Sequence, residues 1–387
     1  YAIVLNNGLE VGRARLNFRA HGGVAAAYPQ IYQSNNSGFD VEVPVNAARL
    51  TGQMSVILRL TDDPAGNGNY FDQRTGNYAT NAGCIDSMRS SGNQLIVSGW
   101  HAASARPAMP VHLMIFTDIN GRELSRVTVD NGDNLSRSDV AAKYPRIGNA
   151  ARSGFTTTIT VPNALRNQLF HLIDRFATSL ADDNNSQDYV DYTNGNLYYV
   201  NNQGTLQTGT FNVDRATYYS DGNGAISSVF NNAEVISQLP ELPTGCEMTA
   251  VTMMLRYAGV NTNKFQVAAE TPRSSNGDYG FVGNPYSASG WWVFPTGIAP
   301  VVNRHLGHSQ VMTGASLAAI QQKLLQRHLV VVWMANMNGF INHAIALTGF
   351  NGNGFTYNNP WTGRKESMSY GEFYSHWNAD RQRALSY

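Results

Sequence analysis

The stretch Pro243-Thr244-Gly245-Cys246-Glu247-Met248-Thr249-Ala250-Val251-Thr252-Met253-Met254-Leu255-Arg256-Tyr257-Ala258-Gly259 decides how the C-terminal half of the chain is read. A Pro-Thr-Gly opening, apolar residues at Met248, Val251, Met254 and Leu255, and a closing Gly259 have the punctuation and period of a helix. Cys246 then falls in its first turn, on a helix that reads as buried. The N–H groups there lack intrahelical acceptors and sit at the positive end of the helix dipole, so this position predicts a thiol pKa lowered toward the reactive thiolate.

Downstream, Ala315 to His328 reads as a helix and Leu329 to Met334 as a buried strand. A second strand, His343 to Phe350, turns at an Asn-Gly pair into a third, Phe355 to Trp361. A hairpin of this kind brings His343, at the mouth of one strand, beside Asn359, near the end of the next. A nucleophile, a base and a group that orients the base are what covalent catalysis of acyl transfer requires.

The first half repeats itself. NGLEVGRA at 7–14 matches NGRELSRV at 120–127, and each follows an apolar strand, Ile3-Val4-Leu5 or Ile115-Phe116-Thr117. Tyr28-Pro29-Gln30-Ile31 with Ser37-Gly38-Phe39 recurs as Tyr144-Pro145-Arg146-Ile147 with Ser153-Gly154-Phe155. Both copies close with a strand (Met54 to Leu60; Leu169 to Asp174), an acidic-amide loop and an aromatic, Tyr70 or Tyr189. The second copy has an extra opening, Asn81 to Met88 and Leu95 to His101, so residue 1 is expected to fall inside a module of a chain that continued upstream. Period-2 strands separated by Asn-Gly, Asp-Gly and Pro predict small antiparallel sandwiches or barrels. Trp100 reads as core, and Cys84 as a small buried hydrophobe. Tyr198-Tyr199 and Tyr218-Tyr219, each running into a turn, predict short aromatic hairpins.

The predicted organisation is multidomain: β-module 1 over 1–79, β-module 2 over 80–194, a β-hairpin repeat segment over 195–230, and an α+β domain over 231–387. Of the 387 residues 42% are hydrophobic, and 27 basic residues balance 27 acidic ones. This excludes a disordered chain and gives no long-range field for nucleic acid or an anionic bilayer. No apolar run reaches membrane-spanning length. Only four of the basic residues are Lys, and amides are abundant, a surface suited to an extracellular protein. His305 and His308 lack further ligands at metal spacing and read as surface histidines, so no metal and no cofactor is expected.

Gln238 to Glu247, Phe281-Val282-Gly283-Asn284-Pro285-Tyr286, Asn342 to Gly349, Asn359-Pro360-Trp361 and the closing Arg383 to Tyr387 together resemble the double-glycine-peptidase-like branch of the papain superfamily. The resemblance covers about 232–387. It implies a papain-like α+β fold with Cys246 as nucleophile, His343 as base, Asn359 orienting the ring where the family often has Asp, and Gln238 donating to the oxyanion. Trp291, Trp292 and Trp361 are candidate substrate-binding residues, and core packing remains open for Trp291 and Trp292. The first half is similar to Gly-Trp-His-Ala modules of bacterial surface proteins. The segment 195–230 resembles Gram-positive cell-wall-binding repeats, although Thr208-Gly209-Thr210-Phe211 lacks their usual Trp; an aromatic hairpin linker is the other reading.

The expected function is a secreted or wall-attached cysteine peptidase, working as a monomer on peptide cross-links of a Gram-positive cell wall, with cell-wall peptide or glycan as partner. A non-catalytic adhesin with a decayed papain-like domain is the alternative, and the complete Gln238, Cys246, His343, Asn359 set argues against it. A Cys246–His343 ion pair predicts a bell-shaped pH profile. Replacing Asn359 by Ala then lowers the bell, and replacing it by Asp is mild.

Overall fold

The computed structural model describes residues 1–130, 132–181 and 190–387, with backbone alone over 190–195. Tyr189 and its acidic-amide loop lie outside the described residues. The protein is mostly β, built of several antiparallel sheets with some helices, and it divides into two compact units, Tyr1–Leu206 and Gln207–Tyr387.

In the first unit the sequence repeat is a structural repeat. Ala2–Asn6 pairs with Leu9–Ala14 and with Gln53–Thr61, and Val111–Asp118 pairs in the same way with Glu123–Thr128 and Gln168–Ala177. Ile3 faces Ile57 in one copy and Ile115 faces Ile173 in the other. Both hairpins carry a bulge, at Val4/Leu5 and at Phe116/Thr117, where an extra residue re-aims the strand.

The extra opening of the second copy forms the hairpin Asn81–Ser91 with Gln94–Ala103, onto which Gly154–Thr160 adds. This hairpin covers the second copy's apolar face: Trp100 clusters with Val140, Ile147 and Ala150. Ile147 is 4% exposed against 55% for Ile31 in the first copy, and Phe155 is 1% against 37% for Phe39. Trp100 is core, as its alternating strand predicts, and Cys84 lies half-buried at the edge of the same cluster.

The second unit is a nine-stranded antiparallel sheet packed on helices. Its order runs Gly209–Val213, Ala216–Ser220, Ile226–Asn231, Phe340–Asn351, Val330–Met337, Ala384–Ser386 and Gln310–Val311; Gly354–Asn359 also pairs with Phe340–Asn351 and with Arg364–Ser369. The predicted helix is Cys246–Tyr257, buried on every side except at Arg256, and it ends before Gly259, whose φ of 96° suits a residue without a side chain. A helix buried all round needs partners all round. Val331, Trp333, Ala344 and Ala346 of the two central strands and Ile298, Val301 and Val302 of the helix Pro295–Leu306 supply them.

The aromatic repeats are divided between the units. Tyr198 and Tyr199 lie on Val190–Val200, paired with Gln168–Ala177 in the first unit, whereas Tyr218 and Tyr219 lie on Ala216–Ser220 within the large sheet of the second. Among the described residues no helix is long and apolar enough to cross a membrane.

Candidate active site

The helix that begins at Cys246 and the strand that carries His343 meet at one end of the second unit, around a cleft of about 420 Å³. Gln238, Cys246, Trp291, Trp292 and His343 all line it, with Thr244, Gly290, Phe340 and Ile341. Residues separated by a hundred positions thus line one cleft.

The hairpin sets the base. Asn358 pairs with Ala346, so Asn359, one step along, lies on the face shared by Ile345 and His343. Asn359 Oδ1 is 2.9 Å from His343 Nε2, and both residues are buried. Asn358 points away and donates to the carbonyls of Ala233 (3.4 Å) and Glu234 (2.9 Å). With Nε2 taken, Nδ1 is the nitrogen left to face the nucleophile. Asn359 is itself fixed from three directions: its Nδ2 donates to Glu366 Oε2 (2.9 Å) and Asn338 Oδ1 (3.0 Å), and its Oδ1 also accepts from the Trp361 backbone N–H (3.0 Å).

The thiol departs from expectation. Burial pushes Cys246 well above the ordinary cysteine value, and the neighbouring Glu247 carboxyl adds to the rise, while the Ala344 N–H beside the sulfur pulls the other way. His343 is lowered to about 4 by burial, against the pull of its Asn359 hydrogen bond and of Glu366. The resting pair is therefore a neutral thiol and a neutral imidazole. Low local dielectric outweighs the helix terminus, because two separated charges in an apolar pocket are costly without a bound partner.

Glu247 is the residue the sequence reading passed over. Its side chain is fully buried; Cys246 Sγ–H donates to Oε2 at 3.3 Å and the Val293 N–H donates to Oε1 at 3.0 Å. Burial raises its pKa to about 7. A charged residue in the first turn of a helix that reads as buried, directly after the nucleophile, was the available signal.

These values predict a bell with different owners. Above pH about 4 His343 is the neutral base, and above about 7 Glu247 becomes an anion that makes thiolate formation harder. Activity should rise through the first value and fall through the second. Glu247→Gln should remove the alkaline limb and speed alkylation of Cys246 at pH 8 by on the order of tenfold, one pKa unit's worth. Rates of alkylation against pH, measured for both proteins, check this; identical profiles contradict it.

Three other residues are placed as follows. Gln238 lines the cleft, but its Nε2 donates to the carbonyls of Leu242 (3.2 Å) and Pro243 (3.0 Å). Trp291 is largely exposed and stands edge-on to Trp292, 5.1 Å between centroids, so of the two readings for this pair the cleft wall is the one found. Trp361 is not among the residues that line the cleft. It packs edge-on against Phe340 (4.8 Å), which in turn stacks on the His343 ring (5.6 Å). His305 and His308 form no metal cluster among the described residues; His305 Nε2 pairs with Glu270 at 2.8 Å.

Comparison with known proteins bears on this unit. Residues 230–385 match the family described as Peptidase_C39 like. A curated relative, the uncharacterized protein YvpB of Bacillus subtilis (strain 168), is 30% identical over 150 residues, an alignment covering 32% of this chain and 60% of that protein. The chain therefore spans about three fifths of the length of that relative. A solved structure, a candidate C39-like peptidase from Bacillus anthracis, is 25% identical, with a TM-score of 0.38, over 40% of this chain and 94% of that one.

Proposed function

We propose that the second unit is a cysteine peptidase, with Cys246 as nucleophile, His343 as base and Asn359 as the group that orients the ring. The observation that carries this reading is the meeting of the Cys246 helix start and the His343–Asn359 hydrogen bond at one cleft. The match of residues 230–385 to a peptidase family supports it.

As substrate enters, His343 Nδ1 takes the thiol proton while Sγ attacks the scissile carbonyl carbon. The tetrahedral oxyanion is held by the Cys246 N–H in the first helical turn and by Gln238, which turns one N–H away from the Pro243 carbonyl. His343 returns its proton to the departing amine, leaving a thioester on Cys246. Water, deprotonated by the same ring, then releases the acid and restores the thiol.

The proposed substrate is the peptide of a bacterial cell wall, and the proposed setting is the cell surface. The tandem β-modules and the lysine-poor, amide-rich composition support that setting. Digestion of purified walls followed by mass spectrometry of the fragments tests the reading. New amino termini are expected; new reducing sugar ends, or no release from any peptide substrate, contradict it.

A further inference from the structure

Three side chains in the second β-module converge without any motif to announce them. Asp174 on Gln168–Ala177 and His112 on Val111–Asp118 are diagonal neighbours, since Met114 pairs with Asp174 and Phe176 with His112. His101 reaches them from Gln94–Ala103, in the other sheet. All three are buried, and their donor atoms lie within 4.8 Å of one another.

We propose that this module holds a divalent transition-metal ion of the zinc class, bound by one ring nitrogen each of His101 and His112 and by the carboxylate of Asp174. Two imidazoles and one carboxylate are the donor set that such ions take in proteins. Tetrahedral bonds of about 2.0–2.1 Å set donors about 3.3 Å apart. His101 Nδ1 and Asp174 Oδ1 already stand 3.4 Å apart, whereas His112 Nε2 is hydrogen-bonded to the same oxygen and must move away from it to admit the ion.

The surroundings are those of a metal site. His101 Nε2 is held by Asn81 Oδ1 at 2.8 Å, the outer contact that fixes a ligating histidine, and His112 Nδ1 lies 3.2 Å from Asp133 Oδ1 without the alignment of a hydrogen bond. Among the described residues, Asp174 Oδ2 is buried without a hydrogen-bond partner and is available as a fourth donor atom. Charge points the same way. Asp133 is matched by Arg106 at 2.7 Å, and among the described residues Asp174 pairs only with histidines, in a pocket walled by Phe155 and Phe176. A proton on one imidazole is the competing way to fill the deficit. The first copy has no such set: the Ile57–Ile173 correspondence puts Leu58 where the second copy has Asp174.

The test uses the full chain carrying Cys246→Ala, so that the thiol and imidazole of the cleft cannot take the ion. After chelator treatment, loading with zinc and dialysis, about one zinc per chain should remain by elemental mass spectrometry, and the melting temperature should rise. Asp174→Asn and His112→Gln should each bring retention to near zero with the fold intact by circular dichroism, and Asn81→Ala should weaken binding about 10- to 100-fold. If the ligand variants fail to fold, cobalt loading of the chain with its ligands unaltered decides: ligand-field bands without a thiolate charge-transfer band support the site, and a spectrum of free aqueous cobalt overturns it. No retained zinc and no melting shift overturns the proposal in favour of the proton, and equal retention by folded ligand variants overturns it in favour of binding elsewhere.

Discussion

Cys246→Ala should lose hydrolysis of any peptide substrate by on the order of 10⁵- to 10⁶-fold, the scale seen when the nucleophile of a serine triad is deleted. The loss follows from the geometry rather than from stability. Cys246 is buried in the first turn of a helix whose other residues carry the packing, and the removed sulfur donates a hydrogen bond only to Glu247. Circular dichroism and melting should therefore stay close to those of the unaltered protein. Initial rates on wall peptide, with Cys84→Ala alongside, check this. Full activity in Cys246→Ala, or equal loss in Cys84→Ala, contradicts the assignment.

The second large effect concerns Asn359. Asn359→Ala removes the acceptor for His343 and leaves a buried ring N–H unsatisfied, so turnover should fall about tenfold to a thousandfold with the pH bell still in place. On sequence grounds Asn359→Asp is a mild change, because a carboxylate accepts the same ring N–H. The structure reverses that expectation. Glu366 Oε2 lies 2.9 Å from Asn359 Nδ2, so an aspartate would set two carboxylates against each other at hydrogen-bond distance, and one of them would be driven to take a proton. Asn359→Asp should then cost about tenfold or more at pH 7, and the double variant Asn359→Asp, Glu366→Gln should recover most of it, since the new amide donates to the new carboxylate. Wild-type turnover in the single Asp variant contradicts this reading of the Glu366 contact.

Much of the site was legible because its parts follow local rules. A start signal, a period and a glycine stop mark the helix that carries Cys246. An Asn-Gly turn between two apolar strands marks the hairpin that carries His343 and Asn359. The choice between Asn358 and Asn359 was not legible: a bulge between Leu347 and Gly349 shifts the register, so parity counted from the Asn-Gly turn would have put Asn358 on the His343 face.

What was not legible depends on depth and on long-range packing. The thiol pKa was read from the helix terminus alone, and burial and Glu247, which dominate, appear only once the cleft is closed over. The contact of Trp361 with Phe340, the ring that stacks on His343, likewise depends on packing across the hairpin. The repeat announced itself at near-constant spacing, whereas His101, His112 and Asp174 meet across two sheets and share no spacing that a linear reading recognises.

The claim that Cys246 is the nucleophile of a working pair is tested most directly by mapping where a thiol-reactive epoxide attaches at neutral pH. Both free thiols are raised by burial, so neither is reactive by its own acidity. Of the two, Cys246 shares its cleft with a histidine, His343, the base proposed to take its proton. Peptide mapping should find the label on Cys246 alone, and His343→Ala should abolish it while leaving the trace at Cys84 unchanged. Slow and equal labelling of both cysteines, untouched by His343→Ala, would contradict the account.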